Sequence, residues 1–114
     1  MPLDKSGTSD AFSVSGHWQL TTYGAFAGEL RLEKREDESD LWRACDVMRS
    51  QGQKHPFGPD YPDNDRLGSG SSAAVNNAHA FYRLVFKADE SVTLDPQAPT
   101  PFALFRAAKL VIEP

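Results

Sequence analysis

Apolar and polar residues alternate with a period of two along much of the chain, the pattern of strands that bury one face. Phe12 and Val14 alternate with Ser13 and Ser15, Gly16 permits a turn or bulge, and Trp18 and Leu20 resume the alternation through HWQLTTY. Residues 11–23 therefore predict two short strands, or one bulged strand. In GAFAGELRLEKRE, Phe26, Leu30 and Leu32 are separated by even numbers while Glu29, Arg31 and Glu33 take the opposite face. This predicts a half-buried strand whose approach is bent at Gly24 and Gly28. HAFYRLVFKA sets Tyr82, Leu84 and Phe86 on one face and Phe81, Arg83 and Val85 on the other, which predicts a central strand largely buried on both sides.

The run LWRACDVMRS is less clean. Trp42, Ala44, Asp46 and Met48 share one parity and Leu41, Arg43, Cys45 and Val47 the other, whereas Leu41, Cys45 and Met48 also fall at helical spacing behind a potential cap, Asp40. A strand is favoured, because the acidic turn EDESD after a strand reads as a hairpin. SVTLD is a short strand candidate, QAPTP breaks it, and FALFRAAKLVIE closes the chain, its AKLVIEP part strand-like with Leu110 and Ile112 paired by parity, whereas ALFRAAKL taken alone also suits a helix. The whole predicts an all-β fold, an antiparallel β-sandwich of about six to eight short strands. Residues 1–10, small and polar, predict a flexible arm or a segment that docks on a neighbour, and residues 11–114 a single domain.

One long excursion interrupts this order at about residues 50–77, with Pro56, Pro59, Pro62, Gly52, Gly58, Gly68 and Gly70 among serines and asparagines. Structureless loops beyond about 12–15 residues are uncommon inside compact domains and are usually functional or disordered. Phe57, Tyr61 and Leu67 gain nothing from exposure to water. With His55 they are candidate subunit contacts, and the excursion reads as a contact arm.

Composition narrows the chemistry. A chain of 114 residues with 25% charged residues and a net charge of −4 holds one core. Its Lys and Arg are interspersed with Asp and Glu, which argues against nucleic acid as a partner. Cys45 is the only cysteine, excluding an internal disulfide or a cysteine-based zinc site within one chain, and it reads as a small buried apolar residue. No apolar run is long enough for a membrane-spanning helix, and MPLDKSGTSD lacks the apolar core of a secretory signal. No membrane partner and cytoplasmic synthesis are expected.

Asp60, Asp63, Asn64 and Asp65 supply oxygen ligands as a calcium loop does, but Gly68 falls late and no glutamate closes the loop. A solvated acidic turn is expected, with no metal and no cofactor. His17, His55 and His79 are scattered singly, and phosphate-loop and hydrolase motifs are missing from the sequence. No catalytic residue is assigned. Trp18 and Trp42 are read as core residues, one on each sheet; the rival reading makes them, with Tyr61, a stacking platform for a glycan.

The run FSVSGHWQLTTYGAFAGELRLEKREDESDLW resembles small β-sandwich modules of tailed-bacteriophage virion proteins. The matching positions are Ser15 and Gly16, then Gly24, Phe26 and Gly28, then Leu30 and Leu32, then Asp37 and Asp40, then Trp42, with Tyr82 and Arg83 in FYRLVF at the place of the following strand. The similarity covers residues 11–45 and 79–87, and the excursion at 50–77 departs from it. The resemblance implies a structural, non-catalytic virion component, in the tail, fibre, adaptor or capsid decoration, synthesised in the host cytoplasm and assembled with other virion proteins or as a homo-oligomer. A glycan-binding β-sandwich module is the alternative.

Overall fold

The computed structural model describes residues 1–14, 16–51, 66–71, 80–107 and 110–111. Nine strands follow one another: β1 Gly7–Thr8, β2 Phe12–Val14, β3 His17–Tyr23, β4 Ala27–Arg35, β5 Arg43–Gln51, β6 Arg66–Ser71, β7 Ala80–Ala88, β8 Phe102–Ala107 and β9 Leu110–Val111. They form two antiparallel sheets. The larger has the order β5-β4-β7-β2-β9 with β1 also paired to β7, and the smaller has the order β6-β3-β8. The fold is the all-β, sandwich-like architecture that the alternation predicts.

The chain passes between the sheets several times, and glycine serves the first two of these crossings. Gly16 has φ +91, in the left-handed region that glycine enters without steric cost, and there the chain leaves β2 of the large sheet for β3 of the small one. Gly24 has φ +85 and lies against Pro101 where the chain returns towards β4. The closing segment divides likewise, β8 pairing with β3 and β9 with β2.

The core lies between the sheets. In β7, Ala80, Tyr82, Leu84 and Phe86 are buried; in β4, Leu30 and Leu32; in β3, Trp18 and Leu20. Trp18, Tyr82, Phe12 and Phe105 form one aromatic group, with Trp18 stacked on Phe105 at 5.7 Å and Phe12 at 4.8 Å from Phe105. Phe26 meets Phe86 edge-on at 6.0 Å. Each fully buried side chain among them, such as Phe26 or Phe86, contributes roughly 1.5–3 kcal/mol. Gly70 of β6 lies beneath the indole of Trp18, where an added Cβ would stand 2.6 Å from the ring.

Four expectations need correction. Residues 1–10 are no flexible arm: Leu3 is buried, Pro2 bridges Phe102, and the backbone of Met1 and Leu3 bonds Ala103 and Pro101 at the edge of the small sheet. Gly7 and Thr8 then pair with β7, and the Ser6 and Ser9 hydroxyls accept from the Ala88 and Leu84 N–H groups at 2.8 Å. Hydroxyls stand in for strand carbonyls, so a polar sequence pairs without alternation. Within the excursion, residues 66–71 are strand β6, where Gly70 lies against Trp18 and adds nothing to a hydrophobic period. SVTLD is a turn region, where the Asp89 carboxylate accepts from the Ser91 N–H and hydroxyl and local bonding replaces a ladder. Finally, β7 is central but buried on one face only, Phe81, Arg83 and Val85 being half-exposed.

Within the ambiguous run 41–49, residues 43–49 belong to strand β5 and none is helical. A bulge in the β4–β5 ladder pairs Leu32 with Asp46 but Glu33 with Ala44, leaving Cys45 as the extra residue. Parity flips there. Met48 therefore points to the core while Trp42 faces outward, which is why neither parity of this run is clean.

Candidate functional site

The outward face of the large sheet gathers residues far apart in sequence. Across β4 and β7 the register sets Glu29 opposite Lys87, Arg31 opposite Val85, Glu33 opposite Arg83 and Arg35 opposite Phe81. On the other side of β4, Arg49 stands opposite Glu29 and Val47 opposite Arg31. The alternating burial of β4 and β7 puts all of these on the side away from the core.

Trp42 is the centre of one end of this face. The guanidinium carbons of Arg35 and Arg83 each lie 4.5 Å from its ring centroid, and Arg35 is 6.0 Å from the Phe81 ring. Arg83 Nε donates to Glu33 Oε1 at 2.8 Å, and Glu33 is only 7% exposed, with Arg31 a further 3.7 Å away. Arg49 Nε donates to Glu29 Oε2 at 3.0 Å. Ion pairs and cation–π contacts thus fix the guanidinium planes against the sheet.

Five cations (Arg31, Arg35, Arg49, Arg83, Lys87) face two carboxylates (Glu29, Glu33) here, a local excess of three positive charges on a chain whose net charge is −4. The Lys and Arg that alternate with acids along the sequence are collected by register onto one surface. Phe81, Val85 and Val47, the last 36% exposed, supply apolar area between them. Aromatic residues and arginine together are the composition enriched at protein interfaces.

The tip of the β4–β5 hairpin, Glu36 to Asp40, is exposed throughout and has the opposite charge. Asp37 Oδ1 accepts from the Ser39 N–H at 2.9 Å and from its hydroxyl at 3.0 Å, and Asp40 Oδ2 accepts from the Asp37 N–H at 3.1 Å. The Ser39 N–H, then its hydroxyl, hold the Asp37 carboxyl below its ordinary pKa, so it stays ionised. Leu41, beside the tip, is 86% exposed.

The residues named from sequence divide as follows. Trp18 is buried and offers no platform, as the core reading expects. Trp42 is not a core residue: it is partly exposed on the outer face, with two guanidinium groups on its ring, because the bulge turns it outward. Leu67 pairs through its backbone with Thr21 in the small sheet. His55, Phe57, Tyr61 and the Asp60–Asp65 cluster lie outside the described residues, as does His79. His17 is exposed on β3. Cys45 is not the small buried residue expected, for as a whole it is exposed on the edge strand. Its sulfur is nevertheless desolvated, which with the neighbouring Asp46 pushes the thiol up to about 11.

Among the described residues no group of three or more His, Cys, Asp or Glu is placed to hold a metal ion. Arg35, Arg83 and Phe81 are not among the site residues named from sequence, although the alternation places Phe81 and Arg83 together on one face of their strand. The sequence shows the parity within each strand, β4 for Arg31, Glu33 and Arg35 and β7 for Phe81 and Arg83, but not the register that joins the two. Comparison with known proteins gives no match: no family model, no curated protein and no solved structure is found to be similar to the chain.

Proposed function

We propose that this chain is a structural, non-catalytic component of a larger assembly and works through subunit contacts made by the outer face of its large sheet. The observation that carries the reading is the Trp42, Arg35 and Arg83 cluster beside Phe81, with a local excess of cations on an acidic chain. Arg31, Arg49 and Arg83 already bear on Glu29 or Glu33, so the face presents fixed ion pairs and apolar area. Apolar area from Phe81, Val85 and Val47 lies between the cations, which suits a protein surface better than a phosphate backbone that offers nothing to bury it against. Planar guanidinium groups held in place lose little freedom on binding, which favours a stable contact.

The setting within that reading is the virion of a tailed bacteriophage, in the tail, fibre, adaptor or capsid decoration. Its support is the sequence resemblance carried by Gly16, Gly24, Phe26, Gly28, Leu30, Leu32 and Trp42. Immunogold labelling of purified phage particles whose genome encodes the chain tests it. Label at a regular place on the particle is expected, and label confined to the unassembled fraction would refute the virion setting.

A further inference from the structure

We infer that the outer face of the large sheet receives the acidic β4–β5 tip of a second copy of this chain, head to tail. The inference rests on the assembly reading and names the partner for the same surface. Glu36, Asp37, Glu38 and Asp40 place four carboxylates within five exposed residues, while Asp89, Glu90 and Asp95 on the other acidic loop spread three over seven. The tip is thus the densest exposed negative segment among the described residues, and the face is where the cations gather. Opposed potentials of this kind orient two surfaces as they meet.

Apolar area matches as well. Leu41, 86% exposed at the base of the tip, has no burial within its own chain, whereas Val47 is 36% exposed on the face. The tip closes the same hairpin that carries part of the face, so it reaches the far part of that surface, around Lys87, Arg31 and Val47, only on another molecule. Tip on face is a heterologous contact, which repeats into a ring or an open filament.

Sedimentation velocity on the full chain at low and moderate salt tests this with two variants. One reverses the tip (Glu36→Lys with Glu38→Lys), and the other alters the face (Arg31→Gln with Lys87→Glu). Val47→Glu replaces the face variant if that one fails to melt cooperatively. The unmodified chain is expected to associate and to weaken as salt rises, and each variant to associate at least about tenfold less tightly. Mixed one to one, the variants should form a dimer and nothing larger, because one retains an intact face and the other an intact tip. An unmodified chain that stays monomeric at every salt concentration, or a mixture that stays monomeric, overturns the inference. Association lost in the face variant but unchanged in the tip variant also overturns it while leaving the face as the contact surface. Loss in neither variant overturns both.

Discussion

Replacing Gly28 with alanine should be among the most damaging single-methyl changes in this protein. Gly28 has φ +138 in β4, a conformation that residues with a Cβ rarely adopt, and an added Cβ would run into the Lys87 carbonyl oxygen and stand 2.9 Å from Ala88 Cα and 3.0 Å from the Asp89 nitrogen. All three are backbone atoms of the neighbouring strand and the turn after it, so no side chain can swing aside. A glycine-only conformation costs about 1–3 kcal/mol and overpacking about 1–3 kcal/mol more, giving ~2–6 kcal/mol. Against a typical domain stability of about 5–15 kcal/mol this is a large fraction. At roughly 4 °C per kcal/mol for a chain of this size, Tm should fall by ~8–24 °C. The control is Gly16→Ala, where φ is +91 but an added Cβ has nothing within 4 Å. It should lose only the conformational part, about 1–2 kcal/mol. Thermal and urea melts followed by circular dichroism compare the two. A loss for Gly28→Ala no greater than for Gly16→Ala would refute the clash argument.

Other consequences can be measured on the isolated chain. Leu3→Ala should destabilise by about 2–4 kcal/mol in a urea melt, since Leu3 is 1% exposed; a change near zero would mean that the N-terminal segment contributes nothing to the core. Burial first of all raises the Cys45 thiol from 9.0 to about 11 and the Tyr82 hydroxyl from 10.0 to about 12. The folded state therefore holds these protons more tightly than the unfolded chain, so stability is full below pH 9 and is lost as pH rises through the window up to about 12. Tm measured from pH 8 to 11 should fall, and Cys45→Ser should move the onset towards pH 10; a flat profile would contradict the desolvation of the Cys45 sulfur and the Tyr82 hydroxyl. Trp42→Ala should reduce assembly while costing the monomer only about 0.5–2 kcal/mol, the scale of its cation–π contacts. Loss of the fold itself would show that the ring is a core element after all.

The strands with plain alternation were legible because a single burial direction runs through them, as with Leu30 and Leu32 in β4 or Tyr82, Leu84 and Phe86 in β7. Residues 41–49 were ambiguous for a physical reason: the bulge at Cys45 moves Trp42 and Met48 to opposite faces although their spacing is even. Strand β1 escaped because its pairing uses backbone groups and the flanking Ser6 and Ser9 hydroxyls, which leave no hydrophobic period. The outer face escaped because it is a property of register. Arg83 meets Glu33 across fifty positions of sequence, and periodicity within one strand carries no information about which neighbour it will have. Trp42 shows the same limit from the other side, since its size suggests the core and only the ladder irregularity sends it to the surface.

Hydroxyl-radical footprinting of the assembled and the dissociated protein distinguishes a contact made by the outer face of the large sheet from one made elsewhere. Trp42 and Phe81 lie on the face, whereas Phe102, 42% exposed on β8, lies on the other sheet and serves as the reference. Assembly should protect Trp42 and Phe81 several-fold and leave Phe102 unchanged. Equal labelling of Trp42 and Phe81 in both states, or protection of Phe102 in their place, would contradict contact through the outer face.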